Sequence, residues 1–340
     1  MSDELASVVR RVLADAGGTD HARASYGDAR GAGDPAWKAV TTTGVTGLLA
    51  PDSGAGMAEV GRVCGELGAV ASPLPYISSA VGALSLLPAD DPWAVQIAAG
   101  DAIGVPALLD AGHGYDLTPR ATAADGRLTG EKVHVVDAQA ADVFLVSAGD
   151  GVWAVAASDA EVVADASTDG SRPEGRVVLR AAPGQRVADL DVVAFAVDRM
   201  RAALVADAVG SARAAFLLAL EHSRVREQFG VPVGSFQAVQ NLLVDIMRDV
   251  ETSAVASRHA LDALDDPDLS DAERRRAVLL AKAQSADVLP RAMEGCIQVF
   301  GGIGFTWEHD IGLHYKRALS LAAAYGDATS SLAALAALVI

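Results

Sequence analysis

Residues 222–246 read HSRVREQFGVPVGSFQAVQNLLVDI. A long helical pattern ends here in charged residues, turns through Gly230-Val231-Pro232-Val233-Gly234 and restarts as a second helix, with Ser235 suited to cap it. Two long helices joined by so short a connection lie antiparallel, which puts this part of the chain in the bundle class. The same turn gathers Arg226 and Gln237 in a chain whose formal net charge is -17. An overall negative field gives an anion no help, so any phosphate bound here must be held by a few local groups.

Working outward, residues 191–340 carry three more helical patterns. One, of about 30 residues, precedes the quoted turn. Another starts at Ser270, contains Pro290 as a kink and ends at Gly301-Gly302; the last begins near His309. Residues 96–190 change character to short valine-rich runs punctuated by Gly, Asp and Pro, which predicts an antiparallel sheet with a hairpin near Asp150-Gly151. Residues 1–95 return to helical spacing around a Gly/Pro connector at 44–57. The expected class is α+β, mostly α: an N-terminal helical domain (1–95), a middle β domain (96–190) and a C-terminal four-helix bundle (191–340).

Composition narrows the function. Apolar residues make up 51% of the chain and mean hydropathy is +0.27, enough for a large core. No stretch reads as a membrane span, and residues 1–18 lack the basic start and apolar run of a signal peptide. Cys64 and Cys296 are isolated, so neither a disulfide framework nor a metal site is expected, and a cytoplasmic location is. The acidic balance argues against nucleic acid.

A second stretch, Gln298-Val299-Phe300-Gly301-Gly302-Ile303-Gly304-Phe305, ends the third long helix. Glycines admit a ligand close to the backbone, glutamine amides both donate and accept, and arginine offers a planar charged fork. Together the two stretches suit the pyrophosphate of a dinucleotide. From the residues alone, the more usual reading of Gly301-Gly302 is a helix C-cap, and of Arg226 a complement to a helix dipole.

RVREQFGVPVGSFQAVQ, followed by AKAQSADVLPRAMEGCIQVFGGIGFTWEHDIGLHYKRAL, closely resembles the C-terminal half of the acyl-CoA dehydrogenase family. The R-x-x-F-G…F-Q and Q-x-F-G-G-x-G-[FY]…E patterns occur in the family's order and spacing. The resemblance is strong over 195–318, moderate over 37–90 and weak between. It implies FAD as cofactor, held between subunits, with Arg226 facing the pyrophosphate, Phe229 beside the adenine half, and Gln237, Gln298, Gly301 and Gly302 lining the same moiety. It also implies an acyl-CoA substrate.

The departures from the family are as informative. The position of the family's proton-abstracting glutamate falls on Tyr325, ahead of Gly326, and the alternative base position on the first long helix is Met200. Asp327 and Asp207 are the nearest carboxylates, Asp207 equally suited to a surface or capping role. The family's T-E-x-x-x-G-S segment is missing, and its aromatic-then-threonine pair corresponds to His134 and Val136. These losses resemble the shorter, base-lacking subunit of actinobacterial heterotetrameric steroid side-chain acyl-CoA dehydrogenases. The implied partner is a catalytic dehydrogenase subunit in an α2β2 hetero-oligomer. Two alternatives stay open: a self-sufficient homo-oligomer with a relocated acid, and a non-enzymatic scaffold. Trp307, Glu308 and His309 read as a loop and helix start, His222 and His314 as members of charged helical faces, and Arg274-Arg275-Arg276 as a solvated face.

Overall fold

The computed structural model describes residues 2–29 and 31–339. The N-terminal part is helical: α1 (Ser2–Asp15), α2 (Thr19–Ala24), α3 (Pro35–Thr41), α4 (Met57–Ala69), a wide π-type turn over Ile77–Ala83, and α5 (Pro92–Ala99). α3 and α5 start alike. Asp34 and Asp91 accept the N–H two residues on, and a proline stands at the first helical position, where no N–H is needed.

Nine strands form the middle part: β1 (Gly104–Ala107), β2 (Leu109–Asp110), β3 (Thr122–Ala124), β4 (Arg127–Val136), β5 (Val143–Ala148), β6 (Gly151–Ala156), β7 (Glu161–Asp165), β8 (Glu174–Pro183) and β9 (Gln185–Asp189). One sheet has the order β1-β5-β6-β9 and the other β2-β4-β8-β7, with β3 beside β4. The hairpin expected near Asp150-Gly151 is present, with Ala148 opposite Gly151 and Gly149 supplying the left-handed turn residue at φ 57°. The sheet is not wholly antiparallel as expected. β1 runs parallel to β5, Gly104 opposite Val143, and β1 is buried at every position, the pattern of a parallel strand covered on both faces. Lys132 of β4 bridges the sheets, its Nζ donating to Asp110 Oδ2 at 2.7 Å and to Ser147 Oγ of β5 at 3.2 Å.

The C-terminal part opens with α6 (Asp191–Val225), 35 residues long. A two-residue ladder, β10 (Glu227–Gln228) on β11 (Val231–Pro232), makes the turn, and α7 (Gln237–Asp265) and α8 (Asp271–Phe300) follow. Ser270 and Glu273 form the expected capping box. Ser235 does not cap α7; the N-cap is Phe236, and the serine hydroxyl donates to Pro232 O at 2.7 Å. The fourth helix of the bundle is not continuous. α9 (Ile311–Ala323) stops where Tyr325 and Gly326 take φ of 54° and 123°, and Asp327 caps α10 (Ala328–Ala337) by accepting from Ser330 N–H at 2.7 Å. α6 is also long and apolar enough to cross a membrane by composition, against the sequence expectation; 61% of its most apolar window is buried in the fold, so its apolarity belongs to the bundle core. α4 crosses α6 backbone to backbone: a Cβ on Gly68 would lie 2.0 Å from Asp207 O.

Candidate functional site

The end of α6 and the end of α8 meet at one exposed shoulder. Arg226 leaves the helix in extended conformation, its N–H donating to His222 O at 2.9 Å. The His222 ring packs on Phe300 (centroids 4.5 Å), and Phe300 packs on His309 (4.1 Å), so the two quoted stretches are stapled together. Burial and then the positive Arg226 hold the His222 imidazole below its ordinary pKa. Phe229 takes φ 55°, is 94% exposed and meets Phe236 edge to face at 6.2 Å. Gln237 and Gln298 are exposed. The N–H of Gly301 bonds Gln298 O, and a Cβ at Gly301 or Gly302 would meet nothing within 4 Å. The C-cap reading of Gly301 is therefore correct, and it leaves an open backbone surface as well. Arg226 forms no side-chain ion pair or hydrogen bond among the described residues. Arg226, Phe229, Gln237, Gln298 and the Gly301-Gly302 backbone are thus all open to solvent at or just beyond the ends of α6, α7 and α8.

A second locus lies between the β2-β4-β8-β7 sheet and the α9 end of the bundle. Leu319, Tyr325, Tyr115, His134, Thr168 and Glu174 line a cavity of about 340 Å³. β4 bulges between Lys132 and Val135, and His134 sits in that bulge at φ 53°. Its Nδ1 lies 3.3 Å from Glu174 Oε2. Tyr325 is held by its carbonyl, which accepts from Arg201 Nε at 2.9 Å; burial pushes its phenol up to about 12. A phenol so placed stays protonated at neutral pH and is no base. The turn before it is fixed by Lys282, a fully buried amine that burial brings down to about 7 and that donates to Leu321 O (2.5 Å) and Ala322 O (3.0 Å) at the end of α9.

The sequence candidates for a relocated acid are engaged elsewhere. Asp207 is not a surface or capping residue. It is 1% exposed and takes a bidentate pair from Arg317, at 2.8 and 2.6 Å. Arg317 also donates to Ser171 Oγ at 2.9 Å, so the pair ties the bundle to the loop before β8. Asp327 is spent on its cap, and those hydrogen bonds hold its carboxyl below the ordinary range. Met200 is buried at 1% exposure. Glu174 is the one carboxylate among the described residues that line the cavity, and nothing in the sequence singled it out. His314 is likewise misread as a member of a charged face; it is fully buried, with Ser211 Oγ 2.9 Å from Nδ1, and burial pushes it down to about 4. The Trp307–His309 segment is structural, as expected. Trp307 meets Tyr26 edge to face, its carbonyl accepts from Arg23, and His309 Nδ1 accepts from Ile311 N–H at 3.2 Å. Arg274 of the arginine run is not simply solvated, because it donates to Asp266 O at 2.7 Å.

The family model for the acyl-CoA dehydrogenase C-terminal domain matches residues 190–338. The chain is 30% identical over 323 residues to acyl-CoA dehydrogenase FadE27 of Mycobacterium tuberculosis, covering 87% of this chain and 85% of that one. It is 32% identical over 310 residues to FadE34 of the same organism, covering 86% of this chain but only 41% of that longer protein's length. Among solved structures, the ChsE4-ChsE5 complex of Mycobacterium tuberculosis superposes with a TM-score of 0.90 at 25% identity, covering 99% of this chain and 96% of that one. A chain of the Tcur3481-Tcur3483 pair, described as a steroid ACAD, gives 0.88 at 24% identity over 99% and 97% of the two chains.

Proposed function

The chain belongs to the acyl-CoA dehydrogenase family, and from that premise we propose that it is a subunit of an FAD-dependent complex that desaturates an acyl-CoA thioester. In this reading it completes a flavin site whose base and ring contacts come from a partner chain. FAD, when bound, supplies the hydride acceptor. Arg226 neutralises the pyrophosphate, Gln237 and Gln298 bond its oxygens or the ribose, Phe229 stacks on the adenine, and Gly301 and Gly302 let the cofactor approach the backbone. The observation that carries the reading is the contrast between the two loci. The shoulder is exposed with its arginine unpaired, whereas the chain's own cavity has the phenol of Tyr325 at the base position and no donor segment of the family type.

In this reading the exposed donors of the shoulder suit the group, and the cavity lining lacks the family's contacts to it. Tyr115, from the loop that stands in place of the missing segment, lines the cavity together with the His134–Glu174 pair. The two-chain make-up of the ChsE4-ChsE5 complex supports a partner, and the description of the Tcur3481-Tcur3483 pair motivates a steroid-derived acyl group as substrate. A second reading rests on Glu174, which lines the cavity. In that reading the chain forms a self-sufficient homo-oligomer and Glu174 takes the α proton. The chain is expressed alone and with an acyl-CoA dehydrogenase encoded beside it, and flavin absorbance and acyl-CoA oxidation are recorded. The first reading predicts a colourless chain alone and a yellow, active complex. A yellow single chain that turns over, and loses turnover in Glu174→Gln, establishes the second reading instead.

A further inference from the structure

We propose that a groove bounded by α1, α4, α6 and α7 binds a small amphipathic carboxylate. The groove encloses about 580 Å³, within the size range of small-molecule sites. Its floor is small and apolar, formed by Gly65 of α4, Ala206, Val209 and Gly210 of α6, and Ala254 of α7. Gly65 lies inside a helix, where glycine is destabilising relative to alanine. A Cβ there would meet nothing within 4 Å, so close packing at that atom does not require the glycine; its absent side chain keeps the groove deep.

The polar end is built from two consecutive residues of α7. Ser257 lines the groove and is 3% exposed, and its hydroxyl has no hydrogen-bond partner among the described residues. A hydroxyl left without a protein partner at the wall of a groove is available to a bound acceptor. Arg258 stands beside it on the rim, exposed and without an ion pair among the described residues. The other rim arginines are already neutralised: Arg10 by both oxygens of Glu66 at 2.8 and 2.6 Å, Arg62 by Glu59 at 3.1 Å and Arg213 by Glu251 at 2.6 Å. Asp262 also lines the rim and disfavours a multiply charged ligand. One free guanidinium and one free hydroxyl at this end of the groove supply donors for a single carboxylate, with an apolar tail along the glycine floor.

The test titrates decanoate into the full chain, with its partner where the two co-purify, by calorimetry and saturation-transfer NMR. The expected result is saturable binding, weakened about tenfold or more by Arg258→Glu and by exchange of decanoate for decanol, and abolished by Gly65→Leu. Arg258 is on the surface, so its variant reports even where Gly65→Leu fails to fold. Absence of decanoate binding overturns the proposal. So does equal binding by decanol, or by Arg258→Glu, which reduces the contact to an apolar surface.

Discussion

Arg317 and Arg226 are the same residue type in opposite settings. Arg317 is 2% exposed and has both oxygens of Asp207 and the hydroxyl of Ser171 as partners. Arg226 lies in solvent at the end of a helix, with none among the described residues. A buried guanidinium is tolerable only when its donors are met, so Arg317 is explained by the fold. No contact among the described residues accounts for the exposed Arg226, three residues before the exposed Phe229. The comparison teaches that charge satisfied within the chain serves architecture, and that charge left over on a shaped surface marks a place for something the chain lacks.

The largest effect should come from breaking the satisfied pair. Asp207→Ala leaves Arg317 buried without its counter-ion and is expected to lower unfolding free energy by about 3–5 kcal/mol, read from the denaturant midpoint. A loss under about 1 kcal/mol would remove the architectural half of the comparison. His314 belongs to the same buried region, and its sign is fixed by its pKa of about 4 in the fold against an ordinary 6.5. The unfolded chain takes up the proton first. The stability that neutral His314 contributes is therefore complete above about 6.5 and is lost as pH falls toward 4, by about 3 kcal/mol. His314→Gln should flatten that part of the urea-against-pH profile.

Next comes the unsatisfied arginine. Arg226→Ala should leave the melting temperature of the chain within about a degree and weaken FAD retention by the complex by about 1.5–3 kcal/mol, the range of one charged hydrogen-bonding contact. The smallest effect sharpens the contrast from the other side. Tyr325→Phe should change turnover of the complex by less than about twofold, against the about 10²–10⁴ lost with a true base.

The sequence made much of this legible. The 222–246 stretch announces its helical hairpin through Gly and Pro, Ser270 announces its capping box, and the β5–β6 hairpin announces itself at Asp150-Gly151. What stayed hidden depended on tertiary context. The β1–β5 pairing is parallel because both faces of a four-residue run are covered, and periodicity in so short a run says nothing about direction. The break of the fourth helix hides in alanine- and leucine-rich sequence on both sides of Tyr325-Gly326. Asp207 and His314 read as surface residues because charge and imidazole usually are, and only the partners Arg317 and Ser211, about a hundred residues away, make burial tolerable. Glu174 was missed because its meeting with His134 depends on a bulge that the sequence does not mark.

The most direct measurement is flavin content per mole of complex, by absorbance after denaturation, for the wild type and Arg226→Ala purified side by side. The account predicts one FAD for each pair of unlike chains in the wild type and a marked deficit in the variant, with unchanged subunit ratio. Full flavin in the variant, or one FAD for every copy of this chain, would contradict it.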